Sequence, residues 1–462
     1  MAIMHNFGDR TLHQHVSELF PLSRSILGPE TRKTLSYFES YHPEFQRLIF
    51  KSGAKVFDWE IPLEWSINNA YIENLESGVR YAEFSDNNLH IVGYSIPVDK
   101  VLPLSELNMH LHTLPSQPDR VPYMTSYYSR DWGFCLSEEE RSVLPDGMYR
   151  VFIDSDIYDG ELHISHAFLK GSDKREIMFS SYICHPSMAN NELSGPVILS
   201  ALLDYVKIRY PKTRWSYRFV LQPESIGSIA YLSKFRQHLR NNLLVGINLS
   251  CVGDEGPFSY VQTPDGDGLA DKVLSSVLIG KAKTMIHSFL ERGSDERQYC
   301  APGVDLDVAT FTRSKFGSYP EYHTDADNLE YVTQRGLEDS FEALTAIIDA
   351  FETCFFPRLT TLCEPQLGKR DLYPNVSFTG PWSEHPARVR SDIIAYSNGT
   401  NSIFDICQKT QIPLDMVVAE LDLLVKSGLI EDSSRVDRFG FFRKIFDKLS
   451  KIRIGKLDLG LS

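Results

Sequence analysis

The sequence contains no run approaching the ~18 uninterrupted apolar residues of a membrane span. Between Met1 and Arg10 there is no apolar segment to serve as a signal peptide. The expectation is a cytoplasmic protein without a transmembrane segment. CxxC pairs are absent too, and the seven cysteines are scattered and odd in number. A secreted disulfide framework is therefore not expected. Positive charge is scarce: 47 Lys and Arg stand against 61 Asp and Glu, a net charge of -14. General nucleic-acid binding needs an excess of basic residues, so no nucleic-acid partner is expected. Small molecules or short peptides suit this surface better. Internal repeats and low-complexity tracts are also missing. What remains is a globular composition, 42% hydrophobic and 23% charged, over 462 residues. That length exceeds one ordinary core and implies two or three domains.

The hydrophobic period changes along the chain and divides it. Residues 1–70 carry helix-like periodicity from His13 to Phe38, broken by Pro21 and Gly28. Residues 71–164 read as an inserted β-rich domain, with short strands such as Leu89–Tyr94, Tyr149–Asp154 and Leu162–Phe168. From residue 165 to 360 strands alternate with helices: Ile177–Ile183, then a helix from Ser194, Tyr217–Leu221, a helix from Ser228, and Leu243–Leu249. Strand Val308–Phe311 and a helix around Leu337–Phe355 complete the series. Such alternation means βαβ units, hence an α/β fold with a mainly parallel sheet. Residues 361–387, rich in Pro, read as a linker. Residues 388–462 have helix-turn-helix spacing followed by a wing. A basic amphipathic helix is expected at Phe441–Leu449.

In an open α/β sheet, ligands bind where the strands end and their loops open. Three such loops carry unusual polar residues. They are Cys184-His-Pro-Ser-Met-Ala-Asn-Asn-Glu-Leu-Ser-Gly195, Gln222-Pro-Glu-Ser-Ile-Gly-Ser228 and Glu321-Tyr-His-Thr-Asp-Ala-Asp-Asn328. Together they offer two histidines, a glutamate and several Asp or Asn side chains. A hydrolytic zinc site needs about three N/O ligands plus water, with a carboxylate nearby to take a proton. Each piece has a bland alternative. Glu224 near a helix start is favourable without any metal, and His323-Thr-Asp suits an Asx-type turn.

The three loops resemble those of zinc aminopeptidases with an α/β/α fold, the group that includes glutaminyl cyclases. The motifs of that group are His-x-Asp, Asn-Asp-Asn-x-Ser-Gly, Glu-Glu-x-Gly, Asn-x-Asp-Met-x-Gly and a late His-Thr-x-x-Asp. More closely, nearly the whole chain resembles aminopeptidase-like proteins of surface-polysaccharide gene clusters. The stretches that carry this likeness include Phe57–Trp65, Asn88–Pro97, Thr125–Cys135, Cys184–Pro196 and Ser294–Tyr299. The resemblance implies a zinc-exopeptidase-like three-layer α/β/α fold with a mainly parallel sheet, an inserted β-rich domain and a C-terminal winged helix. It also implies a metal-dependent amide hydrolase acting on a small aminoacyl or acylamino substrate in polysaccharide or related small-molecule biosynthesis.

Departures from the motifs limit the metal site. Asn191 stands where aminopeptidases place a metal-bridging Asp, and Ser250 stands at another Asp ligand. Only Glu224 remains of the Glu-Glu pair. One zinc, rather than two, is the expectation, held by His185, Glu224 and His323, with Asn191 and Asp254 as further ligand candidates. Glu224 is either a ligand or the catalytic base. The resemblance gives Asp327 the role of orienting the late histidine. Arg297 and Tyr299 are candidates for binding a substrate carboxylate, with Arg130 and Trp132 of the inserted segment near the cleft. His110 and His112 alternate, as on one strand face. Cys184 reads as a buried thiol. In the winged helix the expected recognition helix carries Asp415, Glu420 and Asp422, the wrong sign for phosphates, so contact with protein, including homo-oligomer contact, is expected there. Two other readings stay open: a degenerate relative that only binds, and a metabolite-sensing winged-helix regulator.

Overall fold

The computed structural model of the protein describes residues 6–374, 379–381, 385 and 387–433. The chain divides into two compact units, Met1–Thr345 and Ala346–Ser462. The first unit opens with helix α1 (Leu12–Leu19), whose start is a capping box between Thr11 and Gln14. Helix α2 (Pro29–Tyr41) begins on a proline, whose missing N–H costs nothing at that position. Strand β1 (Phe45–Lys51) follows.

The next segment builds its own antiparallel sheet. It comprises β2 (Glu64–Asn74), β3 (Arg80–Tyr81), β4 (Val98–Pro103) and β5 (Met148–Tyr158), in the order β3-β2-β5-β4. Strand β6 (Glu161–Leu169) then leaves that sheet and pairs with β1. The expected bounds of 71–164 therefore need correction: they cut through β2 and give part of β6 to the insertion. Alternating apolar residues look alike in both sheets, and only the pairing partner tells them apart. Leu89–Tyr94, expected as a strand, is a 3-10 turn at Asn88–His90 with isolated bridges at Ile91 and Gly93. The Asn87 side chain accepts from Leu89 N–H and favours that turn.

The larger sheet continues with β7 (Glu176–Tyr182), α3 (Ser194–Arg209), β8 (Ser216–Gln222), α4 (Ile226–Asn242) and β9 (Leu243–Leu249). It is completed by β10 (Phe258–Val261), α5 (Leu269–Leu278), β11 (Thr284–His287) and β12 (Val308–Thr312), and α6 (Gln334–Thr353) follows. The strand order is β11-β10-β12-β9-β7-β8-β6-β1. The central strands β8, β7, β9 and β12 are parallel, while β6, β1 and the β10/β12 pair add antiparallel edges. Every residue of β7 and β8 is buried, as a sheet covered on both faces requires. The chain passes from β7 to β8 on one side and returns to β9 on the other. This reversal opens a crevice at the carboxyl ends of the strands.

In the second unit β13 (Pro357–Leu359) pairs antiparallel with β14 (Ile430–Asp432) around helices α7 (Arg388–Tyr396), α8 (Ile403–Thr410) and α9 (Leu414–Lys426). A capping box of Ser402 and Asp405 starts α8. The Pro-rich stretch 361–387 thus lies inside this unit, between β13 and α7, and does not separate domains as expected. Proline marks a break in local structure, not the edge of a core. The expected amphipathic helix Phe441–Leu449 and the basic residues from Arg435 to Lys456 lie outside the described residues. Among the described residues, no helix is long and apolar enough to cross a membrane.

Candidate metal centre

Past the end of β7 the chain turns sharply, with Ser187 at φ 40°. It then makes a π-helical turn, Ala189–Leu193, that runs into α3. Such wide turns are uncommon and recur at functional sites. Asp327 secures this one: its carboxylate accepts from the backbone N–H of Asn190 and of Asn191 (2.9 Å), and Tyr319 adds a hydroxyl. Burial pushes its pKa up to about 6 against those hydrogen bonds. The role expected for Asp327, orienting His323, is therefore corrected, because both its oxygens serve the 190–191 backbone. Asp254 is equally committed. It accepts from Asn190 Nδ2 (2.9 Å), Gly256 N–H (2.6 Å) and the Ser314 hydroxyl (2.7 Å) and N–H (3.2 Å), so its lone pairs are taken up by the loop.

The two histidines do come together. The His185 and His323 ring centroids are 5.3 Å apart. Glu224 Oε2 lies 4.0 Å from His185 Nε2. His323 Nε2 is buried without a hydrogen-bond partner. Burial, and then the neighbouring His185, lower the His323 pKa to about 3, which keeps its ring neutral. A neutral imidazole with an unused buried nitrogen is the form a metal ligand takes. His323 also sits at φ 57°, a strained conformation for this residue. Tyr322 stacks on its ring at 3.9 Å. Tyr123, from the segment between β4 and β5, donates its N–H to the His323 carbonyl at 2.8 Å, and its ring centroid is 5.1 Å from each imidazole.

On the other side of His185, Nδ1 lies 2.8 Å from Glu192 Oε2. Arg24, also buried, donates Nε–H to the His185 carbonyl at 2.9 Å. Burial works against the His185 cation, but Cys184 and Glu192 more than offset it and hold the pKa above its usual value. Cys184, His185 and Glu192 keep ligand-capable atoms within 4.8 Å of one another. That trio is a poor metal cage. Burial pushes the Cys184 thiol up to about 11, its sulfur accepts the Glu224 N–H at 3.2 Å, and the Arg24 guanidinium is 3.8 Å from Glu192.

Asn191 and Ser250, set by the resemblance against acidic ligands, belong to a neutral cluster. The Tyr182 hydroxyl sits 2.6 Å from Asn191 Oδ1, to which it donates, and 2.7 Å from Ser250 Oγ. Asn191, expected as a further ligand candidate, has its Oδ1 turned to Tyr182. Glu224 follows β8, and the next residue, Ser225, has φ 62°. Asp295 anchors that turn by accepting from Ser225 N–H (2.7 Å), Ser228 (2.9 Å) and Gln222 (3.1 Å). Burial raises the Glu224 pKa to about 7, with His185 opposing. Arg297 is exposed and donates to Ser225 Oγ at 2.5 Å, at the rim of this turn.

Other expected site residues fall elsewhere. Tyr299 is fully buried, and its hydroxyl accepts from Gln222 at 2.8 Å, so it has no face for a substrate. Arg130 is exposed on the inserted segment. Trp132 stacks on His110 at 3.6 Å. His110 ends a 3-10 turn and His112 lies in a two-residue strand, so they do not share the expected strand face. Sequence reasoning missed Glu192, Tyr182, Asp295 and Arg24. For Glu192 a signal existed, since it puts an acid where the aminopeptidase motif Asn-Asp-Asn-x-Ser-Gly has its second Asn.

A family profile described as Domain of unknown function (DUF4910) matches residues 13–354. The chain belongs to the DUF4910 family. A second profile, described as winged helix-turn-helix, matches residues 355–432 of this DUF4910 protein. It is 38% identical over 425 residues to a Clostridium acetobutylicum protein named for an inferred role in polysaccharide biosynthesis and for its aminopeptidase-like domain. The match covers 91% of this chain and 96% of that one. A crystal structure from the same organism, described as an inferred peptidase, shares 37% identity and a TM-score of 0.81 over 91% of this chain and 95% of that one. A zinc aminopeptidase from Bacillus subtilis shares the fold at 14% identity, TM-score 0.52, over 73% of this chain and 93% of that one. This chain thus has an aminopeptidase-like α/β fold followed by a C-terminal winged helix.

Proposed function

We propose that this chain is a zinc-dependent amide hydrolase for a small aminoacyl or acylamino compound. The observation that carries the reading is the pairing of the buried His185 imidazole with the half-buried His323 imidazole 5.3 Å away, with a carboxylate 4.0 Å from the first and a buried, unpartnered nitrogen on the second. The donor set fits zinc: His185 Nε2, His323 Nε2 and Glu224 would hold it and leave a position open. When bound, zinc supplies a Lewis acid that polarises an amide carbonyl and brings a bound water to a pKa of about 7. One ion is proposed, because Tyr182 joins Asn191 to Ser250 with neutral oxygens where a second ion would need acids.

The chain's own residues do the rest. Tyr123 packs against both imidazoles and keeps water from that side. Asp295 holds the turn that presents Glu224. Arg297, at the rim, offers a guanidinium to an anionic group of the substrate. The name of the C. acetobutylicum relative supports a substrate from polysaccharide biosynthesis. A protein that binds without turnover is favoured by the same neutral Tyr182 cluster, and one experiment separates the two.

The test is zinc content and amide hydrolysis of the full chain purified without added metal. Near one zinc per chain is expected, with loss of both zinc and hydrolysis in Glu224→Gln. Wild-type zinc in Glu224→Gln with hydrolysis gone would make Glu224 the base rather than a ligand. Zinc without hydrolysis in the wild type would favour the binding protein, and no zinc at all would defeat the metal reading.

A further inference from the structure

We infer that Glu192 is the positioning residue that fixes the His185 imidazole, holding its Nδ1–H and turning Nε2 toward Glu224. The inference rests on the proposed metal reading for its purpose but not for its geometry. A histidine that binds metal through one nitrogen is oriented by what its other N–H meets, most often a carboxylate or carbonyl. Here that partner is Glu192 Oε2, 2.8 Å from Nδ1, on a side chain with no exposure at all. A fully buried carboxylate is unfavourable unless it is paired, so the pairing marks a site that is built rather than incidental. The π-helical turn Ala189–Leu193 carries Glu192, and Asp327 holds that turn by its backbone.

Arg24 completes the arrangement from the N-terminal part of the chain. Its Nη1–H donates to the Leu19 carbonyl at 2.7 Å and its Nε–H to the His185 carbonyl at 2.9 Å. Its Nε also lies 3.8 Å from Glu192 Oε1, an oxygen with no hydrogen-bond partner. His185 is therefore held at its backbone by Arg24 and at its ring by Glu192. This turns Nε2 to the side of Glu224 and His323. The Cys184 sulfur, 3.5 Å from Nδ1, is a weaker partner than the carboxylate.

The experiment has two readouts on the full chain. In metal-free protein labelled with 15N-histidine, long-range 1H–15N spectra report which ring nitrogens carry protons, with His185 assigned by its loss in His185→Gln. The expected wild-type result is a strongly hydrogen-bonded, downfield Nδ1–H proton that moves upfield in Glu192→Gln. The second readout is zinc affinity by chelator competition, expected to fall about 10- to 100-fold in Glu192→Gln, with the visible spectrum of the cobalt-substituted protein altered in parallel. An unchanged Nδ1–H signal, or unchanged zinc affinity in a variant with wild-type circular dichroism, overturns the inference. A wild-type spectrum without a protonated Nδ1 overturns it even if the variant does not fold. If the wild type takes up no zinc, the metal reading fails separately, and the Nδ1–H signal alone decides the role of Glu192.

Discussion

His166 shows how much one half-buried ring does away from the two-imidazole site. Its ring packs against Tyr231 and Phe235, and Arg218 lies 3.4 Å from Nδ1. Burial first, and then Arg218, depress its pKa to about 4. The unfolded imidazole titrates near ~6.5. Between about pH 4 and pH 6.5 the unfolded chain therefore binds a proton that the native chain does not, and stability rises with pH. This contribution is present above the unfolded pKa and is lost as pH falls toward the folded one. The variant His166→Phe keeps the ring packing and removes the titration. Its melting temperature is expected to drop less than the wild type's between pH 7 and pH 4.5. Equal drops by circular dichroism would contradict this assignment.

The first turn of α3 is the element on which the candidate site depends. A Cβ at Gly195 would meet Ser181 Oγ at 2.2 Å and the Leu249 carbonyl at 2.7 Å, so the helix lies directly on β7 and β9 there. Gly195→Ala must push α3 off those strands, and overpacking of this kind costs about 1–3 kcal/mol. A lower denaturant midpoint is expected, together with less bound zinc, because α3 continues the turn that carries Glu192. A midpoint within error of wild type would mean that the helix start yields freely. Elements of this kind were readable in advance: Leu243–Leu249 matches β9, and a helix from Ser194 matches α3. Period and length suffice for buried strands and helices between Gly or Pro breaks. They failed at Leu89–Tyr94 and His110–His112, where side-chain hydrogen bonds and stacking on Trp132 outweigh strand propensity.

For the whole molecule, the winged helix raises the question of a nucleic-acid role. Glu420 of α9 is paired with Arg390 at 2.9 Å and Asp422 with Lys426 at 2.5 Å, while Asp415 is exposed. Met416 and Leu423 are also exposed on this helix. An acidic and apolar surface gives up the phosphate neutralisation that supplies non-specific affinity. The full chain is expected to leave duplex DNA unshifted in a gel at physiological salt. Tight, salt-dependent binding there would revive the regulator reading.

The sequence by itself determined the alternation of strands and helices and the three polar loops at strand ends. Each depends on residue type and spacing over a few positions. Only the tertiary structure decided that Glu192 meets His185, that Tyr182 joins Asn191 to Ser250, and that Tyr123 lies against both imidazoles. It also decided that Asp254 and Asp327 accept hydrogen bonds from the loops around them. These contacts depend on how strands cross and which loops then share one end of a sheet. The same carboxylate that reads as a ligand in a motif is spent on backbone N–H groups once the fold leaves those groups buried and in need of an acceptor.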